Sequence, residues 1–295
     1  MSLELQFLGQ PCIRLDGVDL TAQIGDKSIA VLAFLALEPQ PLARKKVAGA
    51  FWSDKTDQAA SYRLRHTLWE LRRLIGNRFI ASDQSHCWIE FDQDVRVDAL
   101  EFRRSCQTLG VGRGPYTPHA EHAPQLSTLV EWYRGDLLDG LSAPDAPLYD
   151  EWLLVEREKF NLLYQETLWC LALTQQAMQA HVEAGQTLTR LIQIDPLRER
   201  SYRVLMNIRA QQGDCAGALR VHDQCARTLV AELGIAPSPE TRRLRERIAR
   251  GVPDSVGIEL ENAIAQAEAA LAEGRPNEAR TLLQSAKLVV RNLFR

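Results

Sequence analysis

Residues 57–75 read DQAASYRLRHTLWELRRLI, and the reading of this stretch decides the fold. Ala60, Leu64, Leu68, Leu71 and Ile75 recur at steps of four, four, three and four, which is one apolar stripe of an amphipathic helix. At about 100° per residue, the opposite side carries Tyr62, Arg65, His66, Trp69 and Arg73, with Glu70 nearer its edge. Two aromatics, two arginines and a histidine make a poor solubility surface and a good recognition surface. Gly76-Asn77 ends the helix.

The flanks fit a single arrangement. Downstream, Phe79-Ile80, a polar turn over Ser82–Ser85 and Cys87-Trp88-Ile89-Glu90-Phe91 predict a β-hairpin. Upstream, a helix from about Ala43 to Trp52 carries Val47, Ala50 and Phe51 on one side and Arg44, Lys45 and Lys46 in its first turn. Cations there oppose the helix macrodipole, so another partner should favour them, and a phosphate backbone is a candidate. Before it, the apolar run Ile29–Leu37 predicts a helix buried on most sides, capped by Asp26 or Ser28 and stopped at Glu38-Pro39. The first 22 residues predict three short strands, with alternation at Leu3, Leu5, Phe7, at Ile13, Leu15 and at Val18, Leu20. Gly9-Gln10-Pro11 and Asp16-Gly17 break them. Strands, three helices with the last one basic, then a hairpin: that order predicts a winged helix-turn-helix. Its third helix would enter the major groove of DNA while the hairpin reaches the flanking backbone or minor groove.

Composition sets the outer limits. A chain of 295 residues with 45% hydrophobic and 25% charged side chains predicts a globular protein of two domains. The longest apolar run has nine residues, against the roughly 20 a membrane helix needs. The start, Met1-Ser2-Leu3-Glu4, reads as no secretory signal. Cysteines 12, 87, 106, 170, 215 and 225 lack framework spacing, as expected of reduced thiols in a cytosol. A membrane protein, a secreted disulfide scaffold and a fibrous protein are thereby excluded. The net charge of −3 conceals a segregation: residues 44–78 hold nine basic side chains against three acids, and residues 79–101 hold six acids against one arginine. A local positive field of that kind suits an anionic partner.

The second half reads differently. Residues 110–126, with Gly110, Gly112, Gly114, Pro115, Pro118 and Pro124, look like a linker, and everything after about 127 reads as helix. Ala184 and Ala218 lie 34 residues apart, the tetratricopeptide period. The pattern Gly213-x4-Ala218-x6-Cys225 returns as Gly274-x4-Ala279-x6-Ala286. The fold expected is therefore an α+β N-terminal winged helix-turn-helix followed by an all-α tetratricopeptide-like helical repeat domain. Its divisions are 1–108 for DNA binding, 109–126 as linker, 127–250 for the helical domain and 251–295 as a C-terminal helical hairpin. The apolar stripe of that hairpin, with Leu283 and Val290 one heptad apart, either folds back on the preceding hairpin or pairs with another chain.

At this point the residues resemble a known family. Gly135-Asp136-Leu137-Leu138, Glu151-Trp152, Glu156-Arg157, Asp195-Pro196-Leu197-Arg198-Glu199-Arg200 and the run from Glu232 to Glu240 resemble the bacterial transcriptional activator domain. That domain is the helical half of the Streptomyces antibiotic regulatory protein family. Leu71-Arg72-Arg73 with Val97-Asp98 and Phe102 is similar to the OmpR-type winged-helix half. The resemblance covers about residues 3–250 and implies a sequence-specific activator that binds direct repeats near promoters and recruits RNA polymerase. It implies a DNA-facing role for Arg72 and Arg73. Trp69-Glu70 stands where the family commonly has small polar or basic residues, so the base preference does not carry over.

The site expected is thus a DNA interface. Tyr62, Arg65, His66, Trp69, Glu70 and Arg73 face the groove, with Arg65 suited to a guanine edge and Glu70 to cytosine N4. Trp69 either packs on the hairpin or stacks on sugar and thymine methyl. Arg44, Lys45, Lys46, Lys55, Arg63 and Arg72 are phosphate-contact candidates; Arg72 alternatively bridges an acid within the domain. No catalytic site, metal or cofactor is expected. Gly25-Asp26-Lys27-Ser28 lacks the glycine loop of a nucleotide site, and His119-x2-His122 and His222-x2-Cys225 lack a second pair of zinc ligands. The partners expected are double-stranded DNA with direct repeats, RNA polymerase holoenzyme and a second copy on DNA, with no membrane, in a bacterial cytoplasm at the nucleoid. A ligand-gated repressor and a protein-binding helical-repeat scaffold are the alternatives.

Overall fold

The alternation at the N-terminus forms three short strands, β1 (Leu3–Gln6), β2 (Cys12–Leu15) and β3 (Val18–Asp19), with Leu3, Leu5 and Ile13 turned inward. Asp16 and Gly17 both have positive φ, the geometry a two-residue hairpin turn demands between β2 and β3. The computed structural model describes residues 2–38 and 40–250, with Ile264, Gln266, Ala267, Ala270, Arg275, Pro276 and 279–284 beyond them. The chain divides into two units, Met1–Gly112 with Ser127–Tyr164, and Arg113–Leu126 with Gln165–Arg295.

In the first unit, α1 (Asp26–Leu37) buries every residue from Ile29 to Leu37, as its continuous apolar run requires. A two-residue strand β4 (Leu42–Ala43) leads into α2 (Arg44–Phe51). Then α3 (Asp57–Ile75) buries Ala60, Leu64, Thr67, Leu68, Leu71 and Ile75. The Thr56 hydroxyl caps α3 by accepting from the Ala59 amide at 3.4 Å, and Gly76 ends it at φ +105°. The hairpin follows as β5 (Ile80–Ser82) and β6 (His86–Ile89), and β4 pairs with β6 to complete a sheet of order β4-β6-β5.

Two elements were invisible to periodicity. Besides β4, a three-residue strand β7 (Val95–Val97) lies parallel to β1, with Val97 opposite Leu5, giving a second sheet of order β3-β2-β1-β7. Such short strands are specified by a partner far along the chain, not by a local pattern. Next comes α4 (Asp98–Thr108), whose first residue is a keystone. Asp98 accepts from the amides of Phe7 (2.7 Å), Leu8 (3.1 Å) and Ala99 (2.7 Å), and Arg134 reaches it at 3.2 Å. Burial pushes its carboxyl above the ordinary value against the pull of those bonds.

The expected divisions shift here. The first unit takes in 127–164, which had been placed in the helical domain, because Tyr149 and Trp152 bring their rings to Phe51 and Phe34 at 4.6 and 4.7 Å. Burying each such side chain contributes about 1.5–3 kcal/mol. The expected linker is ordered in part: after positive-φ Gly110, Gly112 and Gly114, a 3-10 turn (Ala120–His122) runs into α5 (Ala123–Trp132). Nor is everything after 127 helical. The stretch before α6 (Pro147–Ala177) is turns and irregular chain with one bridge at Leu137, where Gly9 and Leu138 donate their amides to the carbonyls of Asp136 (3.0 Å) and Phe7 (2.8 Å). Arg157 then donates to the carbonyls of Leu137 and Leu138, both at 2.8 Å.

The second unit continues α6 into α7 (His181–Ile194), α8 (Glu199–Gln211), α9 (Cys215–Leu233) and α10 (Pro239–Ala249). Ala184 and Ala218, spaced at the repeat period, are both fully buried in one cluster with Leu188, Tyr202, Met206 and Cys225. Glu199 at the start of α8 receives the Ser238 amide (2.9 Å), the Ser238 hydroxyl (2.8 Å) and the Thr241 hydroxyl (2.6 Å). Arg198 joins Asp195 at 3.0 Å and Glu166 at 2.7 Å. Arg157, Arg198, Glu199 and Ser238, among the residues carrying the family resemblance, therefore tie separate segments together. In the tail, Ala267, Ala270 and Ala279 form a small buried cluster with Leu282 against it. Most of the expected 251–295 hairpin, including Val290, lies outside the described residues.

Candidate nucleic-acid interface

The periodicity that buries one side of α3 leaves the other in solvent. Tyr62 is 63% exposed and Trp69 55% exposed. Arg65, His66 and Arg73 are exposed with them, and Glu70 is half-buried at the edge. All six groove-facing candidates thus share one helix face. Within it the side chains are partly ordered: the Arg73 guanidinium lies over the Trp69 ring at 5.1 Å, and the His66 ring centroid is 5.9 Å from that of Trp69. His66 Nδ1 faces Glu70 Oε2 at 3.5 Å, one helical turn away. Trp69 therefore meets Arg73 over its ring and His66 at a tilt on its own helix. Arg65 and Arg63 make no hydrogen bond or ion pair with a described residue.

Two grooves border this face. One, of about 790 Å³, separates α3 from the hairpin and is lined by Arg44, Lys45, Ser61, Arg65 and the turn residues Gln84, Ser85 and His86. The turn is held by Asp83, which accepts from the amides of His86 (2.6 Å) and Ser85 (2.7 Å). Those bonds, the one from His86 first, keep its carboxyl below the ordinary carboxylate value. The other groove, of about 820 Å³, lies at the start of α3 between Lys27, Trp52, Thr56, Tyr62, Arg63 and His66.

The phosphate candidates separate in the structure. Lys45 and Lys46 are exposed at the first turn of α2, Lys45 3.8 Å from Asp57 and Lys46 5.9 Å from the Phe34 ring centroid. Lys55 pairs with Asp54 at 2.6 Å. Arg44 is half-buried and donates to the Asp83 carbonyl at 3.3 Å. The cations at this helix start therefore have partners inside the protein, which answers in part why they tolerate the macrodipole. Arg72 departs from the expectation of a free phosphate contact. Its Nε donates to the Ile80 carbonyl (2.9 Å) and its terminal amine to Ser82 Oγ (2.7 Å), because a residue one position from Leu71 points toward β5, not toward solvent. Among the described residues it bridges neither Asp nor Glu.

Sequence reasoning missed Lys27 and the turn residues Gln84–His86. Lys27 sits in a stretch weighed only as a helix cap and as a nucleotide loop, yet its amine lies 2.7 Å from the Pro144 carbonyl and 5.6 Å from the Trp52 ring centroid. Burial lowers its pKa. The hairpin was legible, but which turn residues border the groove depends on the β4–β6 pairing. The two rejected zinc half-sites are placed too. His119 and His122 hold their rings 5.1 Å apart, with the Tyr116 hydroxyl 3.3 Å from His122, and His222 faces Asp223 at 3.2 Å. Among the described residues no group of three His, Cys, Asp or Glu side chains converges as a metal site, and no helix is long and apolar enough to cross a membrane.

Comparison with known proteins identifies relatives of the chain. A family profile, the bacterial transcriptional activator domain, matches residues 97–249. Regulatory protein AfsR of Streptomyces griseus is 28% identical over 245 residues, covering 79% of this chain and 23% of that protein. Regulatory protein AfsR of Streptomyces coelicolor is 25% identical over 265 residues, covering 88% and 25%. The chain thus spans about a quarter of the length of these relatives. Among solved structures, Mycobacterium tuberculosis EmbR in complex with a low affinity phosphopeptide matches with a TM-score of 0.66 at 22% identity. That match covers 85% of this chain and 66% of that one, and it shows a shared fold.

Proposed function

Since the chain belongs to the bacterial transcriptional activator domain family and is a transcriptional regulator, we propose that it binds promoter DNA in a sequence-specific way through α3 and activates transcription by recruiting RNA polymerase. In this reading the first unit is an OmpR-type winged helix, with β5–β6 as the wing, and the second is a tetratricopeptide-like array. The observation that carries it is the exposed face of α3, where Tyr62, Arg65, His66, Trp69 and Arg73 stand beside a groove bordered by the hairpin turn.

The chemistry of that face matches what a major groove offers. Arg65, with no hydrogen bond or ion pair among the described residues, reads the O6 and N7 acceptors of a guanine, and Glu70 accepts from cytosine N4. The Trp69–Arg73 stack holds a guanidinium and a ring edge toward sugar and thymine methyl groups. Lys45, Lys46, Lys55, Arg63 and Lys27 contact phosphates, which orient the helix without reading bases. Arg44 and Arg72 serve instead to fix the hairpin against α2 and α3. A chain working this way acts in the bacterial cytoplasm at the nucleoid, two copies occupying a direct repeat.

The test is footprinting and gel shift of the full chain on its own upstream region, against a scrambled duplex of equal length. Protection of a repeat, with at least a hundredfold preference over the scramble, supports the reading. Equal affinity for both sinks it, since specific binding exceeds non-specific binding by roughly 10³–10⁷ in such proteins.

A further inference from the structure

The groove at the start of α3 holds an amine that the DNA reading uses only as a charge. Lys27 Nζ lies 2.7 Å from the Pro144 carbonyl and 5.6 Å from the Trp52 ring centroid, in a groove of about 820 Å³. Trp52 is buried, so its indole gives that amine an apolar wall. The carbonyl takes one N–H, which leaves the remaining positions on the nitrogen for another group in the groove. Arg63 lines the same groove, is exposed, and has no hydrogen bond or ion pair among the described residues. Thr56 and Ala59 at the start of α3 line it too, so the positive end of that helix dipole adds to the two cations. Burial lowers the Lys27 pKa, and the Arg63 and Lys55 charges add to the effect against the opposing pull of Asp145 and Asp54.

An amine desolvated against a ring and set beside other cations is placed to act as a nucleophile. What it attacks follows from its neighbour. A guanidinium with no partner among the described residues suits a phosphate, and an electrophile that brings its own phosphate is an acyl phosphate. We propose that Lys27 is an acylation site, modified by small acyl phosphates whose phosphate group is held by Arg63. The neutral Lys27 nitrogen attacks the acyl carbon, and an N–C bond forms as the C–O bond to phosphate breaks. Phosphate leaves with the electron pair of that bond, and the nitrogen gives up one proton to water. The amide so formed carries no charge. Lys27 then no longer pairs with a DNA phosphate, a consequence that rests on the reading above. DNA affinity thus falls as acyl phosphate accumulates.

The full chain is incubated with acetyl phosphate, and acetylation of each lysine is timed by peptide mass spectrometry. Lys27 is expected to react at least about fivefold faster than exposed Lys45 or than Lys55, which pairs with Asp54. Arg63→Ala should remove most of that lead, while Lys27 loses less of its rate toward a neutral acetyl ester. Arg63 is exposed, and thermal melts establish that the variant folds. Lys27 reacting no faster than Lys45 overturns the inference. So does an Arg63→Ala chain whose Lys27 loses the same share of its rate with both reagents. In gel shifts the acetylated chain should bind cognate and scrambled duplexes several-fold more weakly than the untreated one. Lys27→Gln, weaker from the start, should lose little more on treatment. Affinity that survives full acetylation of Lys27 also overturns the inference. A parent that binds no DNA before treatment defeats the DNA reading, while the labelling rates still decide whether Lys27 is the acylation site.

Discussion

Arg72 donates from Nε to the backbone carbonyl of Ile80 at 2.9 Å, and from the same guanidinium to Ser82 Oγ at 2.7 Å, joining α3 to the first strand of the hairpin. Burial lowers the pKa of this guanidinium, with the nearby Arg44 charge adding to the effect, yet it stays cationic throughout the physiological range. Helix and hairpin therefore present themselves to a ligand as one piece. Arg72→Ala is expected to lower stability by about 1.5–3 kcal/mol, the scale for a hydrogen bond involving a charged group. It should weaken cognate and scrambled DNA alike, because the hairpin loses its placement while the bases lose no reader. Urea unfolding and paired gel shifts check this. A selective loss of cognate binding with unchanged stability would return Arg72 to the interface.

Phosphate contacts and base contacts should separate in salt titrations. Lys45→Ala with Lys46→Ala is expected to reduce the log–log salt slope by about 1.8, at about 0.9 per neutralised phosphate, on any duplex. Arg65→Ala should leave most of the slope and lower the cognate preference by about 1–3 kcal/mol. If the preference survives Arg65→Ala, the helix does not enter the groove by this face.

Much of this was legible in the sequence, and the exceptions have a common cause. The bounds of α3, its buried stripe and its exposed face follow from periodicity, since one helix sets them by itself. The Asp16-Gly17 turn was likewise local. What escaped depends on partners distant in the chain. The strand β7 needs β1, and the Ile80 carbonyl and Ser82 hydroxyl that hold Arg72 sit on β5, which is placed by its pairing with β6. Residues 127–164 join the first unit through Tyr149 and Trp152 against α1 and α2 and through backbone bonds of Asp136 and Leu138 to Gly9 and Phe7, contacts no composition shift announces. Gly110, Gly112 and Gly114 take positive φ in the expected linker, but they do not announce which residues after them belong to which unit.

Gly9 and Gly135 show why two backbone segments can touch. Gly9 has φ +106°, and a Cβ there would lie 3.2 Å from the Arg134 Cβ; at Gly135 a Cβ would meet the Gly9 Cα at 3.4 Å. Gly9→Ala combines a disfavoured conformation with a crowded contact, and about 1–3 kcal/mol of destabilisation is expected. The Gly9 amide bond to the Asp136 carbonyl should loosen with it, and amide hydrogen exchange at Gly9 and Leu138 reads that directly. A variant as stable as the parent, with unchanged exchange, would refute the close approach.

The second unit should lose stability in acid through Glu199. Burial alone would raise its pKa, but bonds from the Thr241 hydroxyl and from the Ser238 amide and hydroxyl outweigh it, leaving the carboxyl below its ordinary 4.5. Between the lowered folded value and 4.5, the unfolded chain binds the proton that the folded chain refuses. The stabilisation is thus fully present above pH 4.5 and is lost as pH falls through the folded value. The cluster matters because Ser238 is also the N-cap of α10, so protonating Glu199 loosens the start of that helix from the start of α8. Glu199→Gln keeps an acceptor oxygen while removing the charge. It should be less stable than the parent at pH 7 and should lose less of its remaining stability on acidification. Calorimetric melts of parent and variant from pH 7 down to pH 3 test the difference. Parallel curves across that range would show that Glu199 is not the group whose protonation weakens the α8–α10 junction.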